Sequence, residues 1–259
     1  MKARHRISLI FFIIVQIFFY APLAVLALFS FNGSKAMSWT GFSLQWYTML
    51  FFHSPDLWRA VENSIVVALS SSVTATSIGT LAAVGIYWHN FRLKRYLQVI
   101  TFLPIILPEI IIGVSLLIFF TALHLRLSLV TIILAHITFN IPFVLLIVTA
   151  RLEEFDHSII EAAYDLGARE IDVLTRVIIP ISMPGILSGF LLALTLSLED
   201  FVITFFVAGP GSSTLPLYVY SMIRFGVSPA INALSAIIIA ATMVFAFSTR
   251  NLYNYLIQR

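Results

Sequence analysis

The stretch "ARLEEFDHSIIEAAYDLGAREIDVLTRVIIPISMPGI", residues 150–186, is a long polar connection between two apolar runs. Its first half predicts an amphipathic helix, because apolar residues recur there at helical spacing: Ile159, Ala163 and Leu166. Gly167 follows, a residue suited to the left-handed conformation that ends helices. A second short helix is predicted over residues 170–178, before Pro180 and Pro184. Two short helices around a glycine make a compact knob, which indicates either docking to a partner or packing beneath its own helices.

The composition around this knob is that of a membrane protein. Of the 259 residues, 60% are hydrophobic and 10% are charged, against about 45–50% and about 25% in soluble domains. Cysteine is absent, which excludes disulfide frameworks, thiolate metal sites and cysteine nucleophiles. We find no sequence pattern for a catalytic site or a metal site, and no G-x-x-x-x-G-K-[ST] phosphate loop.

Six apolar runs predict six transmembrane helices, since a bilayer requires about 20 apolar residues and internally satisfied backbone bonds. The predicted spans cover residues 7–31, 63–86, 97–121, 128–150, 184–207 and 230–249. The fold class is therefore all-α and polytopic, with residues 1–259 as a single transmembrane domain and a cytoplasmic loop at about 153–183. The basic start "MKARHR" is also typical of a signal peptide, but the apolar run of about 25 residues after it favours a span.

Basic residues are distributed unevenly between the two sides that these spans define. With the N-terminus in the cytoplasm, eleven of the 15 basic residues fall on that side: Lys2, Arg4, Arg6, Arg92, Lys94, Arg95, Arg151, Arg169, Arg176, Arg250 and Arg259. The opposite side holds four: Lys35, Arg59, Arg126 and Arg224. Because cytoplasmic loops accumulate Lys and Arg, both termini are predicted to be cytoplasmic.

Two further patterns concern packing and the outer side. In the second span, the small hydroxyl residues Ser70, Thr74 and Ser77 recur at helical spacing, with Gly79, Ala82 and Ala83 beyond them, and this face predicts close helix packing. The predicted external segment 32–62 is rich in aromatic residues, including Trp46. These residues are typical of an interfacial belt, and they also suit a vestibule whose aromatic faces meet a cation.

Three acidic residues fall inside the predicted spans: Glu109, Glu199 and Asp200. A charge at the bilayer centre costs at least about 2.5–3.5 kcal/mol, so such residues normally face a cavity or a partner. No Lys or Arg lies at comparable depth, while His136 and Asn140 form a polar pair one turn apart. A permanent internal salt bridge is therefore not expected. Protonation, a cation of a partner subunit and a travelling cation remain as alternatives.

Glu199 and Asp200 are adjacent, so their side chains point about 100° apart on a regular helix. Each continues its own polar stripe, which for Glu199 includes Thr195 and for Asp200 includes Ser197 and Thr204. The sequence leaves open which of the two acids faces a pathway. In the third predicted span, Pro104 and Pro108 precede Glu109, and mid-span prolines often interrupt helices that line transport sites.

The knob sequence "EAAYDLGAREIDVLTRVIIPISMPGI" resembles the EAA loop of the permeases of ABC importers, with Ile179 where leucine is usual. The resemblance implies the type I importer fold and a loop that couples the permease to a separate ATP-binding subunit. The positions that carry over are Glu161, Ala162, Ala163, Asp165, Leu166 and Gly167. ATP and Mg²⁺ would be bound by that partner, so this chain is expected to hold no cofactor and to be no enzyme itself.

Beyond the loop, "HITFNIPFV" and "TLSLEDFVITFFVAGPGSSTLPLYVYSMIRFGVSPAINAL" are similar to the spermidine/putrescine permeases of the PotC type. The resemblance implies polyamine import across a bacterial inner membrane. It also implies a second, PotB-like permease, two copies of a PotA-like ATPase and a periplasmic PotD-like binding protein. The expected substrate path includes Trp46, Glu109, Ser197, Glu199 and Asp200.

Three other functions are considered. The first is an ABC permease for another cation, an anion or a sugar, with the acids serving structure. The second is a proton-coupled secondary carrier, against which the EAA loop argues. The third is a membrane enzyme that uses the carboxylates as acid and base, but no nucleophile or metal pattern accompanies them.

Overall fold

The described chain is almost entirely helical. The computed structural model describes residues 2–35, 38–89, 91–154, 156, 158–224 and 229–257, with side chains between 8 and 243 in these ranges. In this part of the chain, one isolated antiparallel bridge joins Asn32 and Phe42, and no strand forms. The prediction of an all-α fold is confirmed. Of the predicted cytoplasmic basic residues, Lys2, Arg4, Arg6, Arg250 and Arg259 lie outside the described side chains.

Most helices follow one another through short connections, and the longest connection, residues 30–44, joins the first two. The first six are α1 (Lys2–Phe29), α2 (Gln45–Phe52), α3 (Pro55–Trp88), α4 (Lys94–Ile106), α5 (Glu109–Ala122) and α6 (Leu129–Glu153). The loop contains α7 (Ser158–Asp165) and α8 (Glu170–Val173), followed by a π-helical segment (Leu174–Ile178). The remaining helices are α9 (Ile179–Glu199), α10 (Val202–Val207), α11 (Leu215–Arg224) and α12 (Pro229–Ile257).

Four described stretches are long and apolar enough to cross a membrane: Ser8–Phe29, Pro55–Trp88, Leu129–Glu153 and Glu170–Glu199. Helices α4 and α5 add a fifth if the bent pair counts as one span. The predicted sixth span, 230–249, begins on α12, whose apolar described part is the shorter helix Pro229–Met243. The side chains of residues 244–249 lie outside the described ones. The polytopic class is thus supported, and the number six stays a prediction.

The chain divides into two compact units. The first comprises residues 1–57 and 219–259, where α1 and α2 both pack against α12. The second comprises residues 58–218 and contains the loop and the three acids. That the chain works as one domain stays a prediction.

Two apolar cores organise the second unit, and α6 contributes to both. One core joins α3, α6, α9 and the loop helices through residues that include Ile86, Val148, Ile160, Val173 and Ala193. The other joins α3, α5, α6 and α10 through Val67, Phe120, Ile132, Phe139 and Ile203. The loop is therefore packed into the same core as the apolar helices above it.

Helices α3 and α6 approach each other closely at Gly79. A Cβ atom there would lie 2.8 Å from Val144 Cγ1, which explains a glycine at this position. The predicted hydroxyl face was wrong, because Ser70, Thr74 and Ser77 are exposed. The Thr74 and Ser77 hydroxyls donate to carbonyls of their own helix at 2.7 and 2.9 Å, so they need no partner on another helix.

Two predicted spans are interrupted. Residues 97–121 form α4 and α5, which are bent by 110° about Leu107 and Pro108. Leu107 is extended, as expected for a residue before proline. Residues 184–207 are divided at Asp200 and Phe201, where Asp200 adopts an extended backbone (φ −64°, ψ 123°). Neither span is one straight helix: the bend at Leu107 and Pro108 lies before Glu109, whereas the break at Asp200 and Phe201 lies after Glu199.

The second loop helix continues into the membrane segment. Residues 170–178 are helical as predicted, but the helix does not end before Pro180, because Glu170–Glu199 form one 30-residue helical stretch. Pro180 is the second residue of α9 and, because it lacks an N–H, donates no hydrogen bond to the preceding turn. The π turn before it, closed by the Ile179 N–H bonding to the Leu174 carbonyl, widens the helix where the proline ring would crowd it.

Candidate functional site

The first candidate site is the tip of the loop, at the end of α7. The Gly167 N–H donates to Tyr164 O at 2.8 Å, and the Ala168 N–H donates to Ala163 O at 3.1 Å. These two bonds form a Schellman motif with Gly167 in the left-handed region (φ 81°). The prediction that Gly167 ends the helix in this conformation is confirmed.

The loop tip presents a mixed polar and apolar surface. Leu166 is 89% exposed, and the exposed surface around it includes Glu161, Ala162 and Asp165. Ala163 is half-buried beside the buried Ile160, and together they attach α7 to the core. The carried-over residues therefore share one knob, with Leu166 at its tip and Ala163 at its base.

The second candidate site is an acidic cavity of about 300 Å³ in the same unit. Its lining residues are Glu109, Phe139, Leu196, Glu199, Asp200, Phe201 and Val202. Both helix interruptions contribute to it: Glu109 is the first residue of α5, and Glu199 is the last of α9. Three acids that are up to 91 positions apart in the sequence therefore meet around one space.

Glu109 and Glu199 have their carboxylates available. Both side chains are exposed, and in the described part of the chain neither accepts a hydrogen bond or meets a cation. Two unpaired carboxylates beside one cavity attract a cation from outside the chain.

Asp200 is engaged in a buried network. Its Oδ2 accepts bonds from the Thr204 N–H and the Thr204 hydroxyl, both at 2.8 Å, and its Oδ1 accepts one from the Ile203 N–H at 3.2 Å. These bonds cap the N-terminus of α10. His136 Nε2 lies 3.1 Å from Asp200 Oδ2, so this acid has an internal hydrogen-bond partner, which the search for Lys and Arg at comparable depth did not reveal.

Ser197 belongs to the same network. Its hydroxyl lies 2.7 Å from His136 Nδ1 and 3.1 Å from the Ser71 hydroxyl. Ser197 is 6% exposed and Asp200 is 8% exposed, whereas Glu199 between them is exposed. Of the two adjacent acids, the structure thus gives Glu199 the free carboxylate facing the cavity, and it holds Asp200 in place.

Sequence reasoning missed the role of His136. The spacing paired His136 with Asn140 on one helix, but its bonds go to Ser197, Asp200 and Thr204 on α9 and α10. Asn140 is fully buried, and its side chain finds no partner in the described residues. The partners of His136 are 61 to 68 positions away, and no local pattern signals such a contact.

Trp46 lies in the first unit, on α2. Its indole N–H donates to Asn32 O at 2.8 Å, and the neighbouring Tyr47 ring stacks on Phe31 with centroids 5.2 Å apart. The half-buried indole is thereby fixed in its own unit. Its place on a substrate path stays a prediction.

These features, an apolar helical fold with a rigid polar loop and an acidic cavity, define a membrane transport component. The family model described as "Binding-protein-dependent transport system inner membrane component" matches residues 75–259. The chain belongs to this family, and it is accordingly an inner-membrane protein.

Two curated relatives of this chain are permeases of polyamine transport systems. The chain is 38% identical over 237 residues to "Spermidine/putrescine transport system permease protein PotC" of Escherichia coli (strain K12), covering 91% of this chain and 89% of that one. It is 41% identical over 238 residues to "Putrescine transport system permease protein PotI" of the same organism, covering 89% and 84%. The resemblance to permeases of the PotC type is confirmed.

A solved structure shares the fold. A chain of a bacterial ABC transporter "involved in the import of the acidic polysaccharide alginate" superposes with a TM-score of 0.77 over 96% of each chain, at 16% identity. The fold is thus that of an ABC importer's membrane chain.

Proposed function

We propose that this chain is a membrane-spanning subunit of an ATP-driven importer that carries polyamines, spermidine or putrescine, across the inner membrane. The observation that carries the proposal is the pair of unpaired carboxylates, Glu109 and Glu199, beside one cavity. A polyamine is a flexible polycation, and two separated carboxylates suit it better than a single charge. The names of the two curated relatives point to the same substrates.

The proposed path includes Trp46 of the first unit and the acidic cavity of the second. Glu109 and Glu199 contact the cation, while Ser197 and Asp200 shape the wall beside them. Few direct charges are an advantage in a conduit, because a site that binds its cargo too tightly does not release it. Aromatic faces such as that of Trp46 add attraction for ammonium groups.

Energy is proposed to enter through the loop. The contact with a separate ATP-binding subunit, which binds ATP and Mg²⁺, is formed by six residues of the loop: Glu161, Ala162, Ala163, Asp165, Leu166 and Gly167. The continuous stretch Glu170–Glu199 begins in this loop and ends at the acidic cavity. At about 1.5 Å per residue it spans about 45 Å, so a displacement of the loop reaches Glu199 through one helix.

The proposed assembly contains this chain, a PotB-like permease, two PotA-like ATPases and a periplasmic PotD-like binding protein. In the proposed topology of six spans, both termini and the loop lie in the cytoplasm, where the ATPases bind. The chain itself holds no cofactor and performs no hydrolysis.

The test is ATP hydrolysis by the assembled complex in proteoliposomes. Binding protein loaded with spermidine or putrescine is expected to stimulate hydrolysis and uptake, and binding protein offered without ligand serves as the control. Stimulation only by binding proteins loaded with an anion or a sugar would instead support a permease for another substrate. Uptake that follows a proton gradient without ATP would support a secondary carrier.

A further inference from the structure

We propose that His136 is a positioning residue that keeps Glu199 on the acidic cavity through its hydrogen bond to Asp200, at the point where the helix is interrupted. This inference rests on the proposed function of the cavity and deepens it. His136 is 1% exposed on α6, whereas the residues that it holds lie at the end of α9 and the start of α10. It does not line the cavity itself.

The contacts place one anchor before Glu199 and one after it. Nδ1 lies 2.7 Å from the Ser197 hydroxyl, two residues earlier, and Nε2 lies 3.1 Å from Asp200 Oδ2, one residue later. Nε2 also lies 3.0 Å from the Thr204 hydroxyl. One imidazole therefore joins the last turn of α9 and the first turn of α10 to α6, across the point where the helix is interrupted.

The chemistry of the partners fixes how the ring is used. An ionised carboxylate only accepts hydrogen bonds, so Nε2 carries the proton that is donated to Asp200. Nδ1 of a neutral ring then accepts from the Ser197 hydroxyl, which in turn accepts from Ser71. Each side chain of this network therefore has a hydrogen-bond partner, and a fully hydrogen-bonded buried network holds its side chains in one defined arrangement.

Glu199 has no anchor of its own, since its side chain is exposed and bonds to none of the described residues. Its position depends on the backbone of the interruption, where Asp200 is extended and Phe201 is outside both helices. Without a hydrogen bond from α6, the carboxylate of Asp200 retains only its bonds to α10. The end of α9 is then free to turn, and Glu199 leaves the cavity that Glu109 also lines.

Two amide substitutions at His136 distinguish the contact with Asp200 from the contact with Ser197. Glutamine places a donor near the position of Nε2, which reaches Asp200, whereas asparagine reaches only the position of Nδ1, beside Ser197. The variants are therefore His136→Gln, His136→Asn and His136→Leu. The matched control is Thr138→Val on the same helix, because the exposed Thr138 hydroxyl bonds only to Leu134 O of its own helix.

The absence of cysteine from the chain allows a direct readout. In the assembled complex carrying Leu196→Cys at the cavity wall, the rate of modification by a trimethylammonium methanethiosulfonate is divided by the rate for a neutral reagent. This ratio reports the negative charge near position 196. It needs no substrate, so it tests positioning even if the complex carries no polyamine.

The ratio is expected to fall about fivefold in His136→Leu and His136→Asn, the size of effect that displacing one unit charge by several ångströms produces. It should stay within about twofold in His136→Gln and in the control. Spermidine uptake should follow the same order. Equal ratios in the glutamine and asparagine variants would overturn the proposal, and they decide it even if the leucine variant does not assemble. A normal ratio pattern without polyamine uptake in the parent would reject the proposed function alone.

Discussion

At the scale of single residues, the three acids of the cavity have different physical situations. Glu109 and Glu199 are exposed and make no hydrogen bond in the described structure, whereas the Asp200 carboxylate is almost fully used by α10 and His136. A substitution of Glu109 or Glu199 should therefore affect transport, whereas a substitution of Asp200 should affect stability.

Neutralising Glu109 or Glu199 tests the first case. Glu109→Gln and Glu199→Gln are each expected to lower polyamine uptake at least about tenfold, because each removes a charge that faces the cavity. Their effect on stability should stay within about 0.5 kcal/mol, as for exposed side chains without partners. Uptake into proteoliposomes and the thermal midpoint of the purified complex measure the two effects. Unchanged uptake in both variants would contradict the cation path.

Neutralising Asp200 should act differently. Asp200→Asn loses charge-assisted bonds from Thr204 and His136, and it leaves buried donors poorly paired at a cost of about 1–3 kcal/mol. The thermal midpoint should fall, and uptake should fall in proportion to the amount of folded complex. A variant of normal stability with abolished uptake would instead show that Asp200 contacts the cargo directly.

At the scale of elements, the loop is held by a helix ending that only glycine supplies easily. Gly167→Ala is expected to cost about 1–2 kcal/mol, because φ is +81° there. The Schellman bonds that fix Leu166 should weaken, so stimulation of ATP hydrolysis by loaded binding protein should fall more than basal hydrolysis. The control is Gly85→Ala within α3, where an added Cβ meets nothing within 4 Å and φ is not positive. If both variants couple normally, the fixed loop tip is not needed.

The sequence predicted those elements whose signals are local. Composition indicated the membrane class, and the glycine after an amphipathic pattern predicted the end of α7 at Asp165. Pro108 predicted an interruption before Glu109. The size of the bend, 110°, could not be predicted, because it depends on what α4 and α5 pack against. The interruption at Asp200 and Phe201 contains no proline or glycine, so the local sequence does not predict it. It is stabilised instead by a hydrogen bond from His136 on a distant helix. Pairing between α6 and α9 is a tertiary property, so neither the network nor the choice between Glu199 and Asp200 could be read from local spacing.

At the scale of the whole molecule, the bent pair α4 and α5 decides the topology. If the pair is one broken span, Leu93 and Leu125 at its two ends lie on opposite sides of the membrane. If it is a re-entrant loop, the two residues share a side, and every later segment changes side as well. The uneven distribution of Lys and Arg favours the broken span, because it places the basic segment around Lys94 and the loop around Arg169 together in the cytoplasm.

Single cysteines in the cysteine-free chain test this topology without changing any charge. Leu93, Leu125 and Leu166 are all exposed, so each can be replaced by cysteine and labelled with an impermeant thiol reagent. In spheroplasts, Leu125→Cys is expected to react from outside, as is Trp39→Cys in the predicted external segment. Leu93→Cys and Leu166→Cys should react only after permeabilisation. Reaction of Leu93 and Leu125 from the same side would show a re-entrant loop. It would also place the coupling loop on the opposite side of the membrane from the segment around Lys94.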